Sequence, residues 1–256
     1  MRITILGTGT STGLPMIGCE CAVCTSSDPR DRRLRTSALI ETNHGNILID
    51  AGPDMRQQLL ASRVKSLHGI LLTHEHQDHI GGIDDLRPLN YRMGSAIPLY
   101  GLTRTIEAIK KRFHYAFAQH GGGSSRPQVD IHQITPWQEF TIANMPILPL
   151  PISHGSLDIL GFKIGKLAYI TDASDIDPDV CRAIQGVDTL IINALRDEPH
   201  PMHLSFDQAL DYVDLIAPRR AFFVHLTHGV RHAELVSRLP AHVQPAYDGL
   251  LIEVPA

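Results

Sequence analysis

Residues 74 to 79 constrain this sequence more than any other segment. A predicted strand over Gly69–Thr73 runs into three histidines and one aspartate: His74, His76, Asp78 and His79. Side chains alternate along an extended chain, so His74 and His76 share one face. Asp78 and His79 can then turn toward a second centre close by. The alternative is a solvated polar loop, but such loops seldom follow a buried strand with this spacing. Imidazole and carboxylate together suit Zn²⁺, Mn²⁺ or Fe²⁺.

The hydrophobic pattern predicts short strands with helices between them. Apolar stretches rich in Ile, Leu and Val, bounded by Gly, Asn, Asp or Pro, predict strands at Arg2–Leu6, Ser37–Thr42, Asn46–Asp50, Gly69–Thr73, Ile97–Tyr100, Met145–Ile152, Ile159–Ile164, Leu167–Thr171, Thr189–Asn193, Arg220–His225 and Leu250–Val254. Apolar residues spaced three and four apart predict helices at Asp54–Ser62, Ile83–Arg92, Thr103–Phe113, Phe206–Leu215 and Val230–Leu239. This order predicts one α/β domain over residues 1–256, with two packed sheets and helices outside them in an αββα arrangement.

Composition limits the classes of partner. The chain has 256 residues, of which 43% are hydrophobic, and no apolar segment is long enough to span a bilayer. The formal net charge of −4 provides no basic surplus for neutralising phosphates, which argues against a dedicated nucleic-acid binder without excluding a local basic patch. The first residues turn polar at Gly7 and lack the apolar stretch of a signal peptide, so we expect a cytoplasmic protein. A homodimer is the working expectation for its oligomeric state.

The pattern His-x-His-x-Asp-His is the signature of the metallo-β-lactamase superfamily, which this sequence resembles over nearly its whole length. The resemblance extends to four residues at the ends of predicted strands or just after them: Asp50, His154, Asp172 and His225. It implies the four-layer αββα sandwich and two active-site ions, zinc or manganese. The first ion would be held by His74, His76 and His154, the second by Asp78, His79 and His225. Asp172 would bridge the ions, and Asp50 would orient a ligand histidine.

A cysteine cluster follows the first predicted strand. Cys19, Cys21 and Cys24 lie close enough to converge on one ion, and a tetrahedral site then needs one more ligand. His228, three residues past His225, is the candidate. Four protein ligands leave no open coordination position, so we expect a structural zinc site. The alternative is a set of buried or free thiols.

Within the superfamily, these features resemble the phosphoribosyl cyclic phosphodiesterases. The shared features are the turn Thr8-Gly-Thr-Ser-Thr-Gly13, the cysteine cluster and the paired histidines near the carboxyl end. That family carries one further histidine, matching His203. The resemblance implies hydrolysis of a small, cyclic ribose-type phosphodiester by a hydroxide that bridges the two ions, with His203 and Asp78 as catalytic residues. His203 would stabilise charge or protonate the leaving oxygen, although a plain position near the helix cap Ser205 is the alternative.

Other functions remain open on the sequence. A tRNA 3′-processing endonuclease shares the metal motif, but the chain has no long basic arm and that family is not marked by this cysteine cluster. A non-hydrolytic protein of pyrroloquinoline-quinone biosynthesis shares the cysteines, but the full second ligand set counts against it. A thioester or lactam hydrolase is possible on the shared metal motif, but such an enzyme gives no reason for a histidine at position 203. Arg87 could face a substrate phosphate or form an ion pair. The roles of His114, Tyr115 and the glycine-rich loop at 120–127, a surface excursion or a mobile flap, stay undecided.

Overall fold

The computed structural model describes residues 1–118 and 125–255, and most of its first half forms one seven-stranded sheet. In spatial order its strands are β14 (Leu251–Glu253), β1 (Arg2–Gly7), β2 (Ser37–Thr42), β3 (Gly45–Ile49), β4 (Gly69–Leu71), β5 (Ile97–Gly101) and β6 (Val129–Gln133). The pairs from β14 to β3 are antiparallel and those from β3 to β6 are parallel.

The second sheet repeats this plan. Its seven strands are, in spatial order, β13 (Val243–Pro245), β12 (Arg220–Val224), β11 (Thr189–Asn193), β10 (Leu167–Ile170), β9 (Leu157–Ile164), β8 (Met145–His154) and β7 (Phe140–Ile142). The pairs from β7 to β10 are antiparallel and those from β10 to β13 are parallel. Every strand predicted from the sequence has a counterpart, whereas β6, β7 and β13 lack a sequence prediction. All three of these strands occupy sheet edges.

Eight α-helices cover the outer faces of the described chain. They are α1 (Met55–Ser62), α2 (Gln77–Ile80), α3 (Arg87–Met93), α4 (Thr103–Arg112), α5 (His114–Phe117), α6 (Pro178–Ala183), α7 (Phe206–Ile216) and α8 (His232–Arg238), with 3₁₀ turns at Pro29–Asp31 and Ile83–Leu86. The helix predicted over Ile83–Arg92 is thus divided. Pro88 stands in the first turn of α3, where its missing N–H is tolerated, but its ring would clash with the carbonyl of Asp84 in a continuous helix.

Three apolar clusters separate the four layers. The middle cluster lies between the two sheets and includes Ile5, Ile40 and Phe162. An outer cluster packs the first sheet against α1 and α4, and the other packs the second sheet against α6, α7 and α8. The architecture is therefore the expected single-domain αββα sandwich. No helix among the described residues is long and apolar enough to cross a membrane.

The two sheets meet where their strands end. Asp50 follows β3, and Thr73 lies two residues beyond β4, where its carbonyl accepts a hydrogen bond from the Leu160 amide of β9 (3.0 Å). On the second sheet, His154 ends β8, while Asp172 and His225 come just after β10 and β12. The fold therefore collects residues distant in sequence at one edge of the sandwich.

Candidate metal centre

The first group at this edge consists of three histidines. His74 follows β4, His76 stands at the N-cap of α2, and His154 ends β8. One ring nitrogen of each lies within 4.8 Å of those of the other two. Nε2 of His74 and Nδ1 of His76 are 2.9 Å apart. This arrangement brings together the residues that the sequence assigns to a first ion.

The second group combines two carboxylates with two histidines, and all four residues are buried: Asp78, His79, Asp172 and His225. His79 Nε2 lies 3.3 Å from Asp78 Oδ2 and 3.3 Å from Asp172 Oδ2. His225 Nε2 lies 3.3 Å from Asp172 Oδ1. These four residues are the set that the sequence assigns to a second ion. Asp172 also lies within 4.8 Å of His154 through its carboxylate, so it faces both groups.

The histidines and carboxylates at this edge strongly shift one another's pKa values. Burial alone would raise the pKa of Asp172, but His225, His79 and His74 together hold it well below its usual value. Burial would likewise lower the pKa of His79, but Asp172, Asp78 and Asp50 raise it well above its usual value. The cluster is thus a compact set of opposite charges removed from water.

The donor set fits divalent ions. His79 Nε2 is buried and, within the described chain, has no hydrogen-bond partner, although it points at two carboxylates. Burial holds the pKa values of His74 and His225 below the usual value, so these rings are neutral at neutral pH and each keeps a lone pair for an ion. Buried polar atoms that face one another in this way normally have a partner, and a metal ion would provide it.

The outer nitrogens of four of these histidines have hydrogen-bond partners. The pairs are His79 Nδ1 with Asp50 Oδ2 (2.7 Å), His154 Nδ1 with the Met202 carbonyl (2.9 Å), His74 Nδ1 with Thr73 Oγ1 (3.0 Å) and His225 Nδ1 with Thr36 Oγ1 (3.3 Å). Such partners fix the ring orientation and the tautomer of metal-binding histidines. Sequence reasoning identified Asp50 but missed Thr36, Thr73 and Met202, since no local signal marks them.

Three residues of the site have left-handed backbone conformations. The φ angles are 61° at Asp50, 58° at Asp172 and 59° at His225. A non-glycine residue with positive φ is uncommon, and such strained conformations cluster at functional sites. Each of the three follows a strand directly or by one residue, so the backbone turn there aims the side chain into the edge of the sandwich.

His203 lies beside both groups. Its ring stacks on that of His225 with a centroid distance of 4.8 Å, and its Nδ1 is 3.7 Å from Asp172 Oδ1. Burial, reinforced by His225, lowers the pKa of His203 to about 3. The residue therefore lies next to the two groups, and its ring is neutral at neutral pH.

The cysteine cluster forms a separate site. The Sγ atoms of Cys19, Cys21 and Cys24 lie 3.3, 3.4 and 3.7 Å from His228 Nδ1. The backbone amide of Met16 donates to the sulfur of Cys24, and that of Cys24 donates to the sulfur of Cys21, each at 3.4 Å. Three sulfurs and one ring nitrogen match the donor set of a tetrahedral zinc site. His228, the residue proposed from the sequence as the fourth donor, lies beside the three cysteines.

The remaining sequence candidates lie around α3 and α5. Arg87 Nη2 pairs with Asp84 Oδ2 (2.5 Å), and the Tyr115 hydroxyl donates to the other oxygen of Asp84 (2.6 Å). Of the two roles considered for Arg87, the structure shows the ion pair. His114 begins α5 and is exposed. Most of the glycine-rich loop at 120–127 lies outside the described residues.

Comparison with known proteins identifies the family. A profile of the Beta-lactamase superfamily domain matches residues 45–226. The chain is 41% identical over 253 residues to a protein of Porphyromonas gingivalis named octanoyltransferase, in an alignment that covers 98% of this chain and 51% of that protein. It therefore spans about half the length of that relative.

Solved structures agree with this assignment. A protein described as a new diphosphatase from the PhnP family superposes with a TM-score of 0.92 at 38% identity, covering 98% of this chain and 97% of the other. Zn²⁺-bound PqqB from Methylobacterium extorquens superposes with a TM-score of 0.81 at 19% identity, covering 99% of this chain and 100% of PqqB, which shows a shared fold. The chain is a member of the metallo-β-lactamase superfamily and, within it, of the PhnP family.

Proposed function

We propose that this protein hydrolyses a small phosphodiester, of the cyclic ribose type, at a centre of two divalent ions. The observation that supports it most is the position of Asp172, whose carboxylate faces both ligand groups. The first ion would be held by His74, His76 and His154, and the second by Asp78, His79 and His225, with Asp172 shared. Manganese and zinc both suit these ligands. When bound, such ions lower the pKa of water toward neutrality and neutralise phosphate oxygens.

His203 would act on the leaving oxygen. Because its pKa is lowered to about 3, its ring is neutral at neutral pH, but a neutral imidazole still donates one N–H. A preorganised donor aimed at developing negative charge stabilises the transition state without having to carry a charge itself. Stacking on His225 holds the ring in place before substrate arrives. An anionic substrate would also raise the pKa of His203 and favour proton donation.

The cysteine cluster would hold a structural zinc ion through Cys19, Cys21, Cys24 and His228. This site would fasten the loop after β1 to the segment that follows β12, three residues beyond His225. Its four protein ligands leave no position for substrate, so its contribution is to stability.

The relatives suggest which substrates to compare. A family member is described as a diphosphatase, which makes the phosphoanhydride linkage of a diphosphate the nearest alternative bond to test. The relative named octanoyltransferase brings in an acyl thioester as a second class, although its name describes a protein about twice as long. Hydrolysis of a thioester needs no leaving-group donor placed as His203 is, because a thiolate departs without protonation more readily than an alkoxide does.

The first experiment measures metal content and turnover on one preparation. Inductively coupled plasma analysis gives the metals per chain. Hydrolysis of bis(p-nitrophenyl) phosphate, a cyclic ribose phosphate, a nucleoside diphosphate and an octanoyl thioester is then followed with and without added Mn²⁺. About three metals per chain and metal-stimulated diesterase turnover would support the proposal. One tightly held zinc with no turnover would refute the catalytic centre, and thioester turnover alone would replace the substrate class.

A further inference from the structure

Thr73 has no role in the ligand assignment, but its Oγ1 lies 3.0 Å from His74 Nδ1 and 3.4 Å from His79 Nδ1, one proposed ligand of each metal site. Its side chain is fully buried, as are Asp50, His74 and His79 around it. We propose that Asp50 orients one ligand of each metal site, His79 directly and His74 through the Thr73 hydroxyl, so that a single carboxylate couples the two sites. This inference rests on the proposed dinuclear centre.

The hydrogen-bond directions follow from the number of protons. Asp50 Oδ1 accepts from the Thr73 amide (2.8 Å), and Oδ2 accepts from the Thr73 hydroxyl (2.9 Å) and from His79 Nδ1 (2.7 Å). A hydroxyl has one proton, and Thr73 donates its proton to Asp50. Thr73 Oγ1 must therefore accept from His74 Nδ1, 3.0 Å away. Both rings then carry a proton on Nδ1, so Nε2 is the atom that each would offer to an ion, which at His79 would displace the second proton.

The strand pairing places Thr73 there. β3 and β4 are parallel neighbours with Ile49 beside Leu71, and the Asp50 amide donates to the Leu71 carbonyl (2.9 Å). Asp50 and Thr73 thus leave the sheet side by side. The Thr73 carbonyl accepts from Leu160 of the second sheet, so its backbone is held from both sheets. The fold therefore fixes the hydrogen-bonded chain from Asp50 through Thr73 to His74 before any ion binds.

The second site offers a matched control. His225 Nδ1 lies 3.3 Å from Thr36 Oγ1, and the Thr36 hydroxyl donates to the Gly9 carbonyl (2.9 Å). Thr36 is buried like Thr73, and its hydroxyl oxygen also accepts a hydrogen bond from a proposed ligand histidine. The Thr36 hydroxyl, however, donates to a neutral carbonyl, whereas that of Thr73 donates to the Asp50 carboxylate. Replacing either threonine with valine removes one buried hydroxyl and keeps the size of the side chain, so the two substitutions are comparable. Only the change at Thr73 should depend on Asp50.

The test measures Mn²⁺ binding by electron paramagnetic resonance in T73V, T73S, T36V, D50N and the two D50N double variants. Mn²⁺ prefers oxygen and nitrogen ligands, so the thiolate cluster does not interfere. Single variants His76→Ala and His225→Ala assign the two binding steps. We expect T73V to weaken the first site about 10–100-fold, the range for lost outer-shell partners, while T73S stays within about threefold of the unmodified protein. T36V should weaken the second site, and D50N should weaken both.

The double variants decide the mechanism. In the D50N background, T73V should change first-site affinity much less than it does alone, whereas the effect of T36V should persist. Equal behaviour of T73V and T73S, or additive effects of D50N and T73V, would overturn the inference. Thermal unfolding of each metal-free variant separates loss of affinity from loss of fold. Because the readout is metal affinity, absent diesterase turnover would refute the proposed function and leave this inference standing.

Discussion

The histidine–carboxylate centre and the cysteine cluster are built in opposite ways. The ligands of the first come from the end of β4 and from α2, from β8, and from the residues after β10 and β12, and all but His76 are buried. Three of the four cysteine-cluster residues come from a single loop, and only Cys24 is buried. The first cluster exists only when both sheets have packed. The second fastens one loop to the body of the domain.

This difference predicts what each metal contributes. A buried set of coupled charges, oriented by outer hydrogen bonds, suits preorganised chemistry. A loop held by one ion suits folding stability, since binding free energy adds to the folding free energy when the unfolded chain has no site. Removing a ligand from the first cluster should therefore affect turnover more than stability, and the reverse should hold for the second.

The largest expected effect is on turnover in His76→Ala. The side chain is half-buried and serves the first group, so its loss should abolish diesterase activity while changing the free energy of unfolding by less than about 1 kcal/mol. Steady-state rates and denaturant unfolding of the same preparation measure the two quantities. Full turnover of this variant at matched metal content would show that His76 is not a ligand.

The converse variant is Cys21→Ser. It should lose one zinc per chain and, at free zinc a thousandfold above the dissociation constant, about 4 kcal/mol of stability. Turnover per folded molecule should be retained. Cys181→Ser is the matched control, because Cys181 is a buried cysteine of α6 outside the cluster. Zinc content and thermal unfolding of the two variants test the assignment, which fails if both keep the same zinc content.

The same contrast explains what could be predicted from sequence. The motif around His74 and the cysteine spacing are local, so strand periodicity and ligand chemistry were enough to expect them. The positive φ angles at Asp172 and His225 follow from how the strands end at the meeting edge of the two sheets, which no local pattern encodes.

The outer partners were equally hidden. Thr36 and Thr73 are ordinary residues in sequence, and each becomes a hydrogen-bond partner only when strands from distant parts of the chain have paired. Met202 acts through its carbonyl, so the identity of its side chain carries no information about this contact. The sequence therefore predicts residues whose side chains have ligand chemistry, and it does not predict residues whose contribution depends on their position in the fold.

A smaller effect is expected at Asp248, a carboxylate outside both clusters. Asp248 accepts from the Thr8 hydroxyl (2.7 Å) and the Leu34 amide (2.6 Å), and burial raises its pKa to about 6. A raised carboxyl pKa contributes stability that is lost as pH rises toward 6, on the order of 3 kcal/mol for this difference from the unfolded value. Asp248→Asn removes that loss. The free energy of unfolding of Asp248→Asn, relative to that of the unmodified protein, should therefore rise between pH 4 and 6. Denaturant unfolding measures both values, and a difference that stays constant with pH would contradict this prediction.

The smallest expected effect is the pH dependence of zinc affinity at the cysteine cluster, which reports the protons that zinc displaces there. In the metal-free cluster, hydrogen bonding from the Cys24 amide lowers the pKa of Cys21 to about 6, whereas burial raises the pKa of Cys24 to about 11. Between pH 7 and 9, Cys21 is already a thiolate and Cys24 still holds a proton that zinc must displace. Zinc affinity at this site should therefore rise at least about tenfold per pH unit. Competition with a chromophoric chelator measures it, using His76→Ala to simplify the other centre. A flat profile would mean that Cys24 does not bind the ion, and Cys24→Ser should lose the steepest part of the slope.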